Sequence, residues 1–107
     1  MTARHLESTT ATNRRCPRCK AKVVAGYSEG VFVQCDPGQL DQAAELAVLL
    51  ADRVTYEVLP PRELVMRGAL HLARPQRRYP VLAEHDCPRM DASERRRRRP
   101  YRKDTNA

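Results

Sequence analysis

A small α+β domain is the fold this sequence predicts, with a β-hairpin, one amphipathic helix, two or three further strands and disordered termini. Three observations carry that expectation. Cys16-Pro17-Arg18-Cys19 opens the foldable part of the chain and His85-Asp86-Cys87 closes it. Between them, short β-branched runs flank one stretch of helical periodicity. Outside them, apolar periodicity disappears, so a domain over 14–89 is expected between a disordered leader (1–13) and a disordered arginine-rich tail (90–107).

The leader is rich in Thr, Ser and Ala without any repeat. After the first cysteine pair, Lys22-Val23-Val24-Ala25 and Val31-Phe32-Val33-Gln34 are short strands, and Gly26, Ser28 and Gly30 between them predict a hairpin with a loop of several residues. Asp36-Pro37-Gly38-Gln39 then reads as a helix start, with an N-cap carboxylate, Pro at the first helical position and Gln three residues after the cap. The helix is expected over 37–52. Leu40, Ala43, Ala44, Ala47, Leu50 and Ala51 form its apolar stripe, with Leu46 at the border and Asp41, Gln42, Glu45 and Asp52 opposite. Val54-Thr55-Tyr56-Glu57-Val58-Leu59 alternates and is rich in β-formers, which predicts a strand stopped by Pro60-Pro61. A returning strand is expected over 63–67, a short helical turn over 68–73, a loop over 74–80, and a last strand over 81–85.

About 70 residues with so few aromatics bury too little surface to be stable without a staple. Four sulfur and nitrogen ligands in two tight pairs are what a tetrahedral zinc ion requires. The two residues inside a C-x-x-C turn let both thiolates face one ion, and Pro17 limits the turn's freedom. His85 and Cys87 are two apart, so on an extended strand both reach the same side. Cys16, Cys19, His85 and Cys87 are therefore the candidate ligands of a structural Zn2+. Cys35 is the alternative to His85, in a four-cysteine site; as a small thiol at a strand end it also fits as plain core.

The competing chemistries are weaker. Redox enzymes place a Cys-Pro-x-Cys turn after a core strand and before a helix, whereas here a polar segment precedes it and strand-like residues follow. A catalytic zinc needs an open position and a base; four protein ligands close the site, and Glu84 and Asp86 point to the opposite face of the strand. No enzyme, and no small-molecule substrate, is expected. His71, alone in an apolar stretch, and His5, in the leader, are read as ordinary histidines.

The net charge of +7 is unevenly spread. Residues 16–87 carry nine basic and nine acidic groups, so the excess lies in the two ends, at +2 over 1–15 and +5 over 88–107. Arginine outnumbers lysine 17 to 3, which fits GC-rich coding as well as guanidinium chemistry. Arg95, Arg96, Arg97, Arg98 and Arg99, then Tyr101, Arg102 and Lys103, form a dense cationic segment with one aromatic. Such a segment neutralises phosphates of DNA or RNA without reading sequence, and Tyr101 can stack on an exposed base. An acidic or host protein is the alternative partner, and a solvated end with no specific role is the simplest reading. The longest apolar run, Leu46-Ala47-Val48-Leu49-Leu50-Ala51, is too short to span a bilayer, so no membrane association is expected. No signal peptide is visible; a cytoplasmic location follows, where paired cysteines favour metal over disulfides.

The order of CPRC, a Val-rich pair, a DPGQL helix start, an Ala/Leu-rich helix, a TY strand and a closing VLAEHDC resembles small uncharacterised zinc-ribbon-like proteins of actinobacteria and actinophages, over about residues 16–87. The resemblance implies a zinc-ribbon-type fold with ligand positions at Cys16, Cys19, His85 and Cys87, and no particular activity. Lys20 departs from that pattern, standing where zinc ribbons often carry Gly. The functional expectation is a non-enzymatic, zinc-stabilised binding module. Its arginine-rich tail would make it a nucleic-acid-associated accessory or regulatory protein; the alternative is a protein–protein adaptor working through the neutral domain.

Overall fold

A computed structural model of the chain describes residues 8–68 and 78–100, and among these it places six strands and two helices. In chain order they are β1 (Thr12–Arg15), β2 (Lys22–Ser28), β3 (Val31–Gln39), α1 (Gln42–Leu50), β4 (Thr55–Leu59), β5 (Glu63–Met66), β6 (Val81–Glu84) and α2 (Ala92–Arg97). The strands form one antiparallel sheet in the order β1-β2-β3-β6-β4-β5. The sheet curls until its two edges meet: Thr10 bridges Glu63, and the Ala11 N–H donates to the Arg62 carbonyl at 2.7 Å.

Strand alternation divides the core in two. Val24, Val33 and Cys35 point inward with Ala11, Val54, Tyr56, Leu64 and Leu82. Val23 and Ala25 point the other way and form a smaller cluster with Cys16 and Cys87, covered by Cys19, Phe32 and Met90. The metal-ligand candidates thus sit on the outer face of the sheet.

The strands over 54–59, 63–67 and 81–85 are found within a residue or two of their expected limits. The first hairpin is tighter than expected. Ser28 pairs with Val31 across Glu29-Gly30, and both turn residues have positive φ (48° and 83°), as a two-residue turn of this handedness requires.

Three expectations need correction. Thr12 and Asn13 of the leader expected to be disordered are the first two residues of β1, and the Thr9 N–H donates to the Tyr27 carbonyl at 2.9 Å. The leader's polar sequence shows no core periodicity, because only Ala11 enters the core and the rest is held by hydrogen bonds of the backbone and of the Ser8 and Thr9 hydroxyls. Gly26 makes room for it, since a Cβ there would lie 3.0 Å from Ala11 Cα.

The second correction concerns the helix. Asp36-Pro37-Gly38 belongs to β3, where the register against β6 shifts between Cys35 and Gln39; a proline without an N–H is tolerated at such an irregularity. The helix starts later, capped by Asp41, whose side chain accepts from the Ala44 N–H at 2.8 Å. Its buried face is also reversed. Glu45 is only 2% exposed, whereas Leu46 and Leu50 are 58% and 80% exposed. Glu45 Oε2 accepts from Arg67 Nε and Thr55 Oγ1, both at 2.6 Å, and this buried ion pair turns the helix.

Third, residues 91–100 are not a free tail. Asp91 caps α2 by accepting from the Glu94 N–H at 2.8 Å. An acid at the cap with Glu three residues later is a legible helix start, and arginine is a good helix former. The helical turn expected over 68–73 lies outside the described residues apart from Gly68. No helix among the described residues is long and apolar enough to cross a membrane.

Candidate metal centre

The first two donors come from the turn between β1 and β2. The Lys20 N–H donates to the Cys16 carbonyl and the Cys16 N–H to the Ala21 carbonyl, both at 2.8 Å. Lys20 closes this turn at φ 68°, the left-handed conformation that explains why Gly is common at such a position. Burial raises the pKa of the Cys16 thiol, but hydrogen bonds from the Cys19 and Arg18 backbone N–H groups outweigh it and bring the value down to about 6.

The other two donors follow β6. His85 is anchored by its N–H, which donates to the Gln34 carbonyl at 2.9 Å, and Cys87 lies two residues on. Burial, then hydrogen bonding to Cys16, pushes the Cys87 thiol up even though the Arg89 backbone N–H opposes it.

Cys16, Cys19, His85 and Cys87 each offer one ligand atom, all within 4.8 Å of one another. Cys16 Sγ lies 3.8 Å from Cys87 Sγ, and Cys19 Sγ lies 3.2 Å from His85 Nε2. Two thiolates at about 2.3 Å from a tetrahedral ion are about 3.8 Å apart, and a thiolate and an imidazole nitrogen about 3.6 Å apart. The donor spacing therefore fits one tetrahedral ion with little adjustment. Cys16, His85 and Cys87 are buried and Cys19 is half-buried. This three-cysteine, one-histidine cluster could hold a metal ion.

Cys35 is not part of it. It is 0% exposed in the inner core, where burial, then the charges of Asp36 and Glu84, push its thiol far up. It packs as an apolar residue.

Sequence reasoning missed Asp36 at this site. Its Oδ1 lies 2.7 Å from His85 Nδ1, so Nδ1–H donates to the carboxylate and Nε2 is left to face the cysteines. Carboxylate partners of this kind fix the tautomer and orientation of a metal-binding imidazole. Burial lowers the His85 pKa, but Asp36 and then Cys19 raise it overall. Asp36 is itself held by Arg53 Nη2 at 2.9 Å, and Arg53 also donates to the Glu84 carbonyl. The irregularity in β3 places Asp36 here; bulges commonly re-aim a side chain in this way.

The arginines of the nucleic-acid expectation are distributed around the same end of the molecule. Arg99 makes a two-point contact with Glu84, with Nε and Nη2 each 2.9 Å from a carboxylate oxygen. Arg95 lies 3.4 Å from Glu84 and 3.7 Å from Asp86. These two face the domain. Arg96, Arg97 and Arg98 are exposed, at 2.6 Å from Asp52, 2.7 Å from Ser93 and 3.1 Å from Glu94 respectively. Tyr101, Arg102 and Lys103 lie outside the described residues. No family model, curated protein or solved structure matches this chain.

Proposed function

We propose that the chain is a non-enzymatic, zinc-stabilised binding module that engages DNA or RNA through its arginine-rich C-terminal segment. The observation that carries this reading is the exposure of Arg96, Arg97 and Arg98 on a helix packed beside the three-cysteine, one-histidine cluster. Zinc suits a donor set of three thiolates and one imidazole at tetrahedral spacing. Bound there, it would tie β1, β2 and the end of β6 together and supply folding energy. Four protein donors complete the tetrahedron, which favours a structural over a catalytic role. The exposed guanidinium groups suit phosphate contact without base readout.

Binding of the full chain to mixed-sequence duplex and single-stranded DNA, titrated with salt, tests this. Log K is expected to fall linearly with log salt, and Arg96→Ala/Arg97→Ala/Arg98→Ala to remove most of the affinity. A triple variant that binds like the parent would refute the nucleic-acid role.

A second reading has an observation of its own. Leu46 and Leu50 project from one exposed face of α1 with Ala43 and Ala47, at the spacing by which a helix docks on a partner protein. A protein–protein adaptor would use that face, on the side of α1 away from its Glu45 anchor.

A further inference from the structure

We propose that the phosphate-facing surface is composite: Arg18 and Lys20 of the cysteine turn join Arg97 and Arg98 at the C-terminal end of α2 in one basic ridge. This rests on the nucleic-acid reading above and adds residues far from the arginine run in sequence.

The Glu94 carboxylate assembles the ridge. Arg18 reaches it through Nη1 at 2.9 Å and Nη2 at 2.6 Å, and Arg98 reaches it through Nη2 at 3.1 Å. Arg18 also donates to the Arg89 carbonyl at 3.1 Å. One carboxylate therefore gathers two guanidinium groups, 37% and 55% exposed, from opposite ends of the domain. Arg97 lies one position from Arg98 and three from Glu94, on the adjoining outer face of the helix. Lys20 sits beyond Arg18 in the same turn, its Nζ 3.2 Å from the Pro17 carbonyl. The result is a group of cations from two separate segments gathered about the Glu94 carboxylate. Exposed cations drawn from two segments suit a polyanion with repeated charges, such as a phosphodiester backbone, rather than one enclosed anion.

The consequence is that an arginine of the cysteine turn contributes to binding as an arginine of the tail does. The test is the salt dependence of full-chain binding to a mixed-sequence DNA duplex, compared across Arg18→Ala, Arg98→Ala and Arg18→Lys. Arg18→Ala and Arg98→Ala should each reduce the slope of log K against log salt by about one unit. Arg18→Lys should restore the slope, because it returns the charge without the two-point geometry. An Arg18→Ala variant with unchanged slope beside a diminished Arg98→Ala overturns the ridge and leaves the nucleic-acid reading standing. Failure of Arg18→Lys to restore the slope also overturns it, by making Arg18 a folding residue alone. Equal affinity for polyglutamate of matched charge overturns the assignment to phosphate. Absence of binding by the parent chain at about 50 mM salt, where phosphate contacts are strong, removes the nucleic-acid reading and the ridge together.

Discussion

Asp36 shows how one residue's role can be reversed by its surroundings. Followed by Pro37, it has the local signature of a helix cap, yet its carboxylate serves His85 and Arg53. Removing it should therefore act on metal affinity more than on α1. Asp36→Ala is expected to weaken metal binding about 10- to 100-fold, the usual cost of losing such a partner. Competition with a chromophoric chelator would measure this, and unchanged affinity would mean that His85 needs no orientation. The clustering of Cys16, Cys19, His85 and Cys87 was legible because paired ligand-type residues at short spacing constrain one another in sequence. Asp36 was not, because it has no second ligand at short spacing to mark it, and it meets His85 only through the irregularity in β3.

At the scale of elements, β4, β5 and β6 were legible from alternation and from β-branched residues. A helix within 37–52 was legible too, but the start and buried face of α1 were not, and α2 was not expected at all. In both helices charged residues decide the orientation. α1 turns its buried side toward the Glu45–Arg67 pair, whose side chains are 3% and 6% exposed, so an apolar stripe gave the wrong face. α2 is anchored by Arg95 and Arg99 on Glu84, while composition alone suggested disorder. Breaking a buried ion pair costs about 3–5 kcal/mol when one partner is removed. Glu45→Ala should lower stability on that order, measured by denaturant unfolding, whereas Leu50→Ala at an exposed position should change it by less than about 0.5 kcal/mol. The reverse ranking would show that α1 packs by its apolar face.

For the whole molecule, the cluster joins residues 71 positions apart, Cys16 and Cys87, and sits outside the main core. With an ion bound, its removal should loosen the β1–β2 turn, the end of β6 and α2 together, since Arg18 links the turn to Glu94. Chelation is expected to lower the melting temperature by at least about 10 °C, given that each kcal/mol moves a domain of this size by about 4–8 °C. Unchanged melting in stoichiometric excess of chelator would show that the fold stands without metal. The general α+β class and the pairing of the chain's two cysteine-containing segments were legible in the sequence. The sixth strand and the meeting of the sheet's edges were not, because β1 is recruited by hydrogen bonds that any polar sequence can make.

That meeting has a consequence for how the protein behaves in company. An unpaired strand margin is a template for the next molecule, and proteins that leave one exposed tend to polymerise through it. Here the short segment around Thr10 and Ala11 lies against Glu63 and Arg62 and occupies part of the β5 margin. The unassuming residues ahead of the first cysteine thus cover part of that margin, and a chain trimmed through them is expected to leave more of β5 open to its neighbours.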